Sequence, residues 1–147
     1  MKILVVDDEI ETLTVIRLGL VHAGYEVITA ENAATALQLL TDEKPHLAIL
    51  DVMMPDVDGY ELVQPIRERS NIPLLMLTAR GSVAGEVASL ELGADDYITK
   101  PFSMENVVAH IKALLRRVSE NEPVLHWTAN VPVQNGYAAI QVKVVRP

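Results

Sequence analysis

The strongest constraint on the fold of this chain is a short apolar run that ends in a carboxylate and meets a turn signal at once. Residues 47–50 read Leu-Ala-Ile-Leu, Asp51 follows them, and Pro55 and Gly59 belong to the turn. A continuous apolar run of this length is typical of a strand that is buried on both faces of a parallel sheet. Function collects at the carboxyl ends of such strands, which makes Asp51 a candidate site residue. Taken alone, Asp51 is better explained as an ordinary turn residue.

Four more apolar runs and five stretches with helical spacing predict the rest of the fold. The predicted strands are residues 2–6, 26–30, 46–51, 73–78 and 96–101, and the predicted helices are residues 9–23, 33–43, 60–70, 83–92 and 104–118. Strands that alternate with helices predict a parallel α/β sheet with right-handed crossovers. Pro65 lies inside the third predicted helix and should kink or shorten it, because proline lacks a backbone donor.

The composition excludes several classes of protein. The chain has 147 residues, half of them apolar, which suits one ordinary domain with a small appendage. It contains no cysteine, which excludes disulfides, thiolate catalysis and cysteine zinc sites. No apolar run approaches the ~18 residues of a membrane span, and the N-terminal run is too short for a signal peptide, so we expect a cytoplasmic protein. A net charge of -8 argues against direct binding of nucleic acid or membrane surfaces.

The character of the sequence changes near residue 119, which predicts a main domain over residues 1–118 and a linker with a short tail over residues 119–147. Residues 119–123 are polar and suit a linker, while Asn135-Gly136 between apolar arms predicts a β-hairpin turn. Pro132 restricts its arm to an edge position. The tail is shorter than the ~40 residues that usually fold alone, so it must dock on something or stay mobile.

The ends of four predicted strands carry reactive side chains, which a parallel sheet would bring to one edge. These residues are Asp7, Asp8, Asp51, Thr78 and Lys100. Three carboxylates in one cleft stay ionised together only when a cation lies among them, and an all-oxygen site favours Mg²⁺. Asp51 could then attack phosphorus and form an aspartyl phosphate, with Lys100 and Mg²⁺ stabilising the transferring oxygens and Thr78 donating its hydroxyl. Each residue alone could have a structural role that involves no chemistry. Such residues at all four strand ends are better explained by one shared site.

Four motifs, in this order, resemble those of response-regulator receiver domains. They are Val5-Val6-Asp7-Asp8-Glu9, Asp51-Val-Met-Met-Pro55-Asp-Val-Asp-Gly59, Leu77-Thr78-Ala79-Arg80 and Lys100-Pro101-Phe102. The likeness covers residues 1–118 and implies a flavodoxin-like, doubly wound, five-stranded sheet of order 2-1-3-4-5. Residues 92–103 are similar to the subfamily whose receivers drive winged-helix DNA-binding domains.

The resemblance also implies a function and site roles. It implies a two-component signalling protein that accepts a phosphoryl group on Asp51 from a histidine kinase. Phosphorylation would switch its conformation and so control an output partner that regulates transcription. The implied magnesium ligands are Asp8, Asp51 and the Met53 backbone carbonyl, with Asp7 in support, and the implied switch residues are Thr78 and Tyr97. The Lys100–Pro101 bond is expected to be cis. The resemblance implies no enzyme, only phosphoryl transfer to the chain itself and slow hydrolysis of the product.

The surface that forms a two-fold dimer in the subfamily departs from the usual pattern here, which implies a weak homodimer at best. That surface comprises the fourth helix, the fifth strand and the fifth helix, where basic residues face acidic ones. Glu86 stands at a usually basic position, and Asn106 replaces its acidic partner. His110 replaces the arginine that meets Asp96. The remaining pair is Asp95 with Arg117.

The tail lacks a recognition helix, so direct nucleic-acid binding by these residues is not expected. It resembles either the shortened start of a winged-helix output domain or a divergent sequence of other use.

Three other functions remain open at this stage. A haloacid-dehalogenase-type phosphatase also uses a strand-end aspartate, a threonine, a lysine and Mg²⁺, but needs a second aspartate two residues after the nucleophile, where this chain has Met53. A phosphorylation-independent interaction module is the second alternative, which the complete acceptor set disfavours. A nucleotide-binding flavodoxin-like domain is the third, and no glycine-rich loop follows any predicted strand.

Overall fold

A computed structural model of the chain describes residues 1–51, 59–78, 93–121, 124–134 and 136–145. The chain divides into two compact units, Met1–Leu115 and Arg116–Pro147. The strands of the first unit are β1 (Lys2–Val6), β2 (Glu26–Ala30), β3 (Leu47–Asp51), β4 (Leu74–Thr78) and β5 (Asp96–Thr99). The described helices are α1 (Ile10–His22), α2 (Ala33–Glu43), α3 (Gly59–Arg69) and α4 (Met104–Asn121). The second unit contains β6 (Val124–Val133) and β7 (Gly136–Val145).

The five strands of the first unit form one parallel sheet in the order β2-β1-β3-β4-β5, which confirms the predicted fold. The register pairs Val6 with Leu50, Asp51 with Leu77, and Thr78 with Thr99. The carboxyl ends of β1, β3, β4 and β5 therefore lie at one edge of the sheet. Because the register is fixed by buried apolar side chains, the residues that follow these strands are held close together.

Helices cover both faces of the sheet, so alternate residues of each strand enter different cores. One face packs against α2 and α3 and contains Leu4, Val6, Leu50, Met76, Leu40, Leu62 and Ile66. The other packs against α1 and α4 and contains Ile3, Val5, Ile49, Leu75, Leu13, Ile16, Val107 and Ile111. Each fully buried leucine or isoleucine contributes about 1.5–3 kcal/mol. This burial makes the central strands a rigid support for whatever lies at their ends.

Local signals explain most helix ends. Gly24 follows α1 with φ +97°, a conformation that glycine adopts without a side-chain clash. Asn32 caps α2 by accepting the Thr35 amide at 2.9 Å, and Ser103 caps α4 by accepting the Asn106 amide at 3.1 Å. Pro65 does not end α3, which continues to Arg69.

The residues after 118 differ from the predicted linker. The α4 helix runs on to Asn121, so residues 119–121 belong to the helix. Strands β6 and β7 then form the predicted hairpin, each ten residues long, with Val133 paired to Gly136. The assignment of residues 1–118 and 119–147 to separate domains stays a prediction.

Some predictions concern residues that the structure does not describe. These are the helix predicted at residues 83–92 and the roles predicted for Met53 and Glu86. Among the helices that the structure describes, none is long and apolar enough to cross a membrane.

Candidate functional site

Asp51 is the last residue of β3 and lies at the centre of the edge where the strands end. It is only 2% exposed. The Lys100 Nζ atom lies 2.8 Å from Asp51 Oδ2 and donates to it. Lys100 is held in place because its own amide donates to the Thr78 carbonyl at 2.8 Å, directly after β5. The structure therefore brings together a buried carboxylate and a lysine that are 49 positions apart in the sequence.

Two more carboxylates lie beside Asp51. Asp7, Asp8 and Asp51 each offer one oxygen, and these oxygens lie within 4.8 Å of one another. Asp7 Oδ1 accepts the Glu9 amide at 2.9 Å. Asp7 Oδ2 is buried and has no hydrogen-bond partner among the described residues. A buried oxygen without a donor is costly, and a bound cation would satisfy it. The donor set of carboxylate oxygens fits a hard divalent metal ion.

Burial and the neighbouring Asp51 carboxylate both raise the pKa of Asp7. Burial, with a smaller contribution from the nearby Asp51 carboxylate, raises this pKa from its ordinary value of 3.8 to about 7. The hydrogen bond from the Glu9 amide and the charge of Lys100 act in the opposite direction, but they are weaker than burial. The cluster therefore holds its full negative charge at neutral pH poorly unless a cation compensates it.

Metal binding should depend on pH through Asp7. An acid whose pKa is raised by folding adds stability below its unfolded pKa, and this contribution is lost as pH rises through about 7. Metal binding has the opposite dependence, because the ligand must lose its proton. We expect the Mg²⁺ affinity, measured by calorimetry, to rise about tenfold from about pH 6 to about pH 8. Asp7→Asn should flatten this rise, and an unchanged slope in that variant would assign the proton to another group.

Thr78 ends β4, one residue beyond the partner of Asp51, and lies at the same edge of the sheet. It is 1% exposed, and its hydroxyl oxygen has no hydrogen-bond partner among the described residues. A buried hydroxyl without a partner is uncommon, and it suits a group that bonds only in a second state of the site. The position of Thr78 at the end of an apolar run had predicted this location.

The peptide bond after Lys100 matches the expectation, while the switch role of Tyr97 stays a prediction. Tyr97 lies in β5 opposite Met76 and packs, half-buried, against the core on the α2 and α3 side. The Lys100–Pro101 bond is cis. Met53, the predicted carbonyl ligand, lies outside the described residues.

One partly buried network was not predicted from the sequence. Arg67, in the last turn of α3, donates to the Gly93 carbonyl and to Asp95 Oδ2, at 2.8 and 2.7 Å from Nη2. Asp95 Oδ2 also accepts the Leu74 amide at 2.8 Å. This network ties α3 to the start of β4 and to the approach to β5. No sequence signal would have found it, since the partners are more than 20 positions apart.

The acidic residues assigned to a dimer surface have partners within the chain. Asp95 pairs with Arg67, although the sequence analysis paired it with Arg117 across a dimer axis. Asp96 Oδ2 contacts His110 Nδ1, and Asp96 Oδ1 accepts the Tyr97 amide. These contacts occupy the carboxylates that a dimer would have to engage. The weak homodimer through this surface stays a prediction.

The fold and the site together define a doubly wound α/β domain with an acidic cluster at its switch point. The family described as the response regulator receiver domain matches residues 3–112. The chain belongs to this family and is the receiver of a two-component response regulator.

Curated relatives support the same assignment. A protein of Cyanophora paradoxa named probable transcriptional regulator ycf27 is 51% identical over 128 residues, which cover 87% of this chain and 53% of the relative. The alkaline phosphatase synthesis transcriptional regulatory protein PhoP of Bacillus subtilis is 50% identical over 117 residues, 79% of this chain and 49% of the relative. The chain thus spans about half the length of these relatives.

Solved structures agree with the sheet described above. A response regulator from Chloroflexus aurantiacus superposes with a TM-score of 0.74 at 38% identity, over 79% of this chain and 98% of that one. A two-component response regulator from Clostridium difficile gives 0.77 at 29% identity, over 80% and 98%.

Proposed function

We propose that this chain is a phosphoacceptor whose Asp51 receives a phosphoryl group in a Mg²⁺-dependent reaction. The observation that carries the proposal is the position of Asp51. Its carboxylate is buried at the end of β3, in contact with Lys100 and beside two further carboxylates. A nucleophile, a compensating cation and a metal-binding oxygen set are the parts that phosphoryl transfer to a carboxylate requires.

Each residue of the site has its own role in phosphoryl transfer. An Asp51 oxygen attacks phosphorus, the bond to the donor's leaving group breaks, and the leaving group departs with the bonding electrons. Lys100 neutralises charge on the transferring oxygens, since its ammonium already contacts Asp51. Asp8 and Asp51, with Asp7 in support and the Met53 carbonyl, would hold Mg²⁺. When bound, Mg²⁺ supplies positive charge to the phosphoryl oxygens.

The donor that we propose is a sensor histidine kinase, since the family is that of two-component systems. We propose no catalytic turnover of an external substrate. The chain would be modified, switch, and lose its phosphoryl group slowly by hydrolysis. Met53 replaces the second aspartate that a haloacid-dehalogenase-type phosphatase needs, so that alternative has less support. The output is regulation of transcription, which the names of the relatives support. We also propose a cytoplasmic location, where a histidine kinase could phosphorylate the receiver.

Thr78 should couple phosphorylation to the shape of the β5 edge. Its unbonded hydroxyl would move to donate to the new phosphoryl group, and Tyr97 would rotate into the space that Thr78 leaves. Thr78→Ala should therefore still accept phosphate but lose the change in amide hydrogen exchange at residues 93–100 that phosphorylation causes in the wild type. Ser70→Ala, distant from the strand ends, serves as the control. Equal changes in the wild type and Thr78→Ala would contradict this coupling.

The experiment that tests the proposed function is phosphorylation of the wild-type chain by a small acyl phosphate, with and without Mg²⁺. Whether Asp51→Asn still takes up the phosphoryl group decides the position of the modification.

A further inference from the structure

The carboxyl ends of α2 and α3 border a cavity of about 510 Å³. It is lined by Leu40, Thr41, Lys44, Pro45, Arg69, Ser70 and Ile72. The segments that line it precede β3 and β4, whereas Asp51 and Thr78 end these strands. The cavity therefore lies at the opposite edge of the sheet from the acidic cluster. Its volume is within the range of about 300–1,000 Å³ that is usual for small-molecule sites. We call it the α2–α3 cavity.

Two cationic side chains line the α2–α3 cavity, and neither forms an ion pair with the described residues. Lys44 belongs to none of the ion pairs there, and its neighbour Glu43 pairs with Lys2 at 2.8 Å. The Arg69 Nη1 atom donates to the Pro65 carbonyl at 2.9 Å. None of the described residues that line the cavity is acidic. The cavity therefore presents positive side-chain charge, although the chain has a net charge of -8.

The backbone of Lys44 has an unusual conformation for a lysine. Its φ is 46° and its ψ is 62°, which is the left-handed region, at the end of α2. Among the described residues, no other residue except glycine has a positive φ. Glycine or asparagine adopts this conformation with less strain, so the backbone gives no reason for a lysine here. Strained residues at the border of a cavity are frequently ligand contacts, and this favours a role for the Lys44 side chain.

The remaining wall of the α2–α3 cavity is mostly apolar. Leu40 is only 5% exposed, Pro45 is buried and Ile72 is half-buried. Ile72 is fixed from both sides, since its carbonyl accepts Arg67 Nη1 and its amide donates to Ser70 Oγ at 3.2 Å. The Ser70 hydroxyl donates to no described residue, so it can donate to a ligand oxygen. These groups suit a ligand with an apolar body and oxygen acceptors at one end.

We propose that the α2–α3 cavity binds a small organic acid. Its carboxylate would lie between Lys44 and Arg69, and its apolar body would lie against Leu40 and Ile72. A guanidinium matches two carboxylate oxygens with its planar fork, and an ammonium adds a point charge. The last carbonyls of α2 and α3 carry partial negative charge, which offsets part of the charge of the two cations. A monoanion is therefore favoured over a dianion such as a phosphate ester.

Octanoate is a suitable probe, because it combines one carboxylate with an apolar chain. We expect it to move the amide signals of residues 40–45 and 69–72 in NMR spectra of the ¹⁵N-labelled 147-residue chain. The dissociation constant should be on the order of 1 mM, as for a small ligand in an open cavity. Acetate carries the charge without the apolar chain, and octanol carries the chain without the charge. Each should bind at least about tenfold more weakly than octanoate.

Three substitutions separate recognition of the carboxylate from the net charge of the chain. Lys44→Gln and Arg69→Gln should each weaken octanoate binding by about fivefold or more. Lys112→Gln removes the same charge from an exposed position in α4, and it should change the binding by less than about twofold. Lys44→Asn should weaken binding as Lys44→Gln does, although asparagine suits the left-handed backbone better. A dispersed amide spectrum of each variant shows that the fold is intact.

Several results would overturn the proposal. One is the absence of shifts at the α2–α3 cavity with octanoate at up to about 20 mM, well above the expected dissociation constant. Equal binding of octanoate and octanol would show an apolar groove that does not recognise an anion. Equal weakening by Lys44→Gln and Lys112→Gln would assign the effect to net charge. The measurements use unphosphorylated protein, so their failure leaves the proposed phosphorylation of Asp51 unaffected.

Discussion

Asp51→Asn should abolish phosphorylation of this protein. The substitution keeps the size and the buried position of the side chain but removes the anionic oxygen that attacks phosphorus. Wild-type protein treated with Mg²⁺ and a small acyl phosphate should gain one phosphoryl group, about 80 Da by intact-mass measurement, through this aspartyl-phosphate chemistry. The variant should gain none. Omission of Mg²⁺ should prevent the gain in the wild type as well.

The matched control is Asp42→Asn. Asp42 is an exposed acid in α2, so the same chemical change occurs away from the strand ends. This control should be labelled like the wild type. A phosphoryl group that persists on Asp51→Asn would show that another residue is the acceptor, and the assignment of the site would be wrong. If the wild type is not labelled, the proposed function itself is wrong.

Asp8→Ala should have the second largest effect, through the metal. Asp8 is half-exposed and contributes one of the three carboxylate oxygens of the cluster. Asp7 lies deeper than Asp8 and has a raised pKa. We expect the variant to lose labelling at Mg²⁺ concentrations that saturate the wild type. The loss of one ligand should raise the Mg²⁺ concentration at half-maximal labelling by at least about 10–100-fold.

Glu11→Ala provides the comparison for Asp8→Ala, since Glu11 is an exposed acid in the first turn of α1. It removes the same charge from a nearby position that does not belong to the cluster. Labelling measured over a series of Mg²⁺ concentrations separates the two variants. If both behave alike, the effect of Asp8 is one of general charge, and the carboxylate cluster is not the metal site.

The central strands of the sheet were predictable from the sequence, because β1, β3 and β4 are short apolar runs. Strands buried on both faces leave little freedom of register, so the residue that ends each run had to lie at the shared edge. That is why Asp51, Thr78 and Lys100 could be named before any coordinates. The predicted hairpin is present, but Gly136, which was predicted to be a turn residue, is the first residue of β7 and pairs with Val133.

The tertiary structure decided the contacts between side chains that are distant in the chain. The Asp7 pKa depends on how deeply its carboxyl group is buried beside Asp51, which no local pattern encodes. The pairing of Asp95 with Arg67 replaced the partner that the sequence analysis gave it, because the end of α3 lies against the start of β5 only in the folded chain. Residues 119–121 extend α4 because a helix that is anchored by buried apolar residues can continue into a stretch whose sequence pattern predicts a linker.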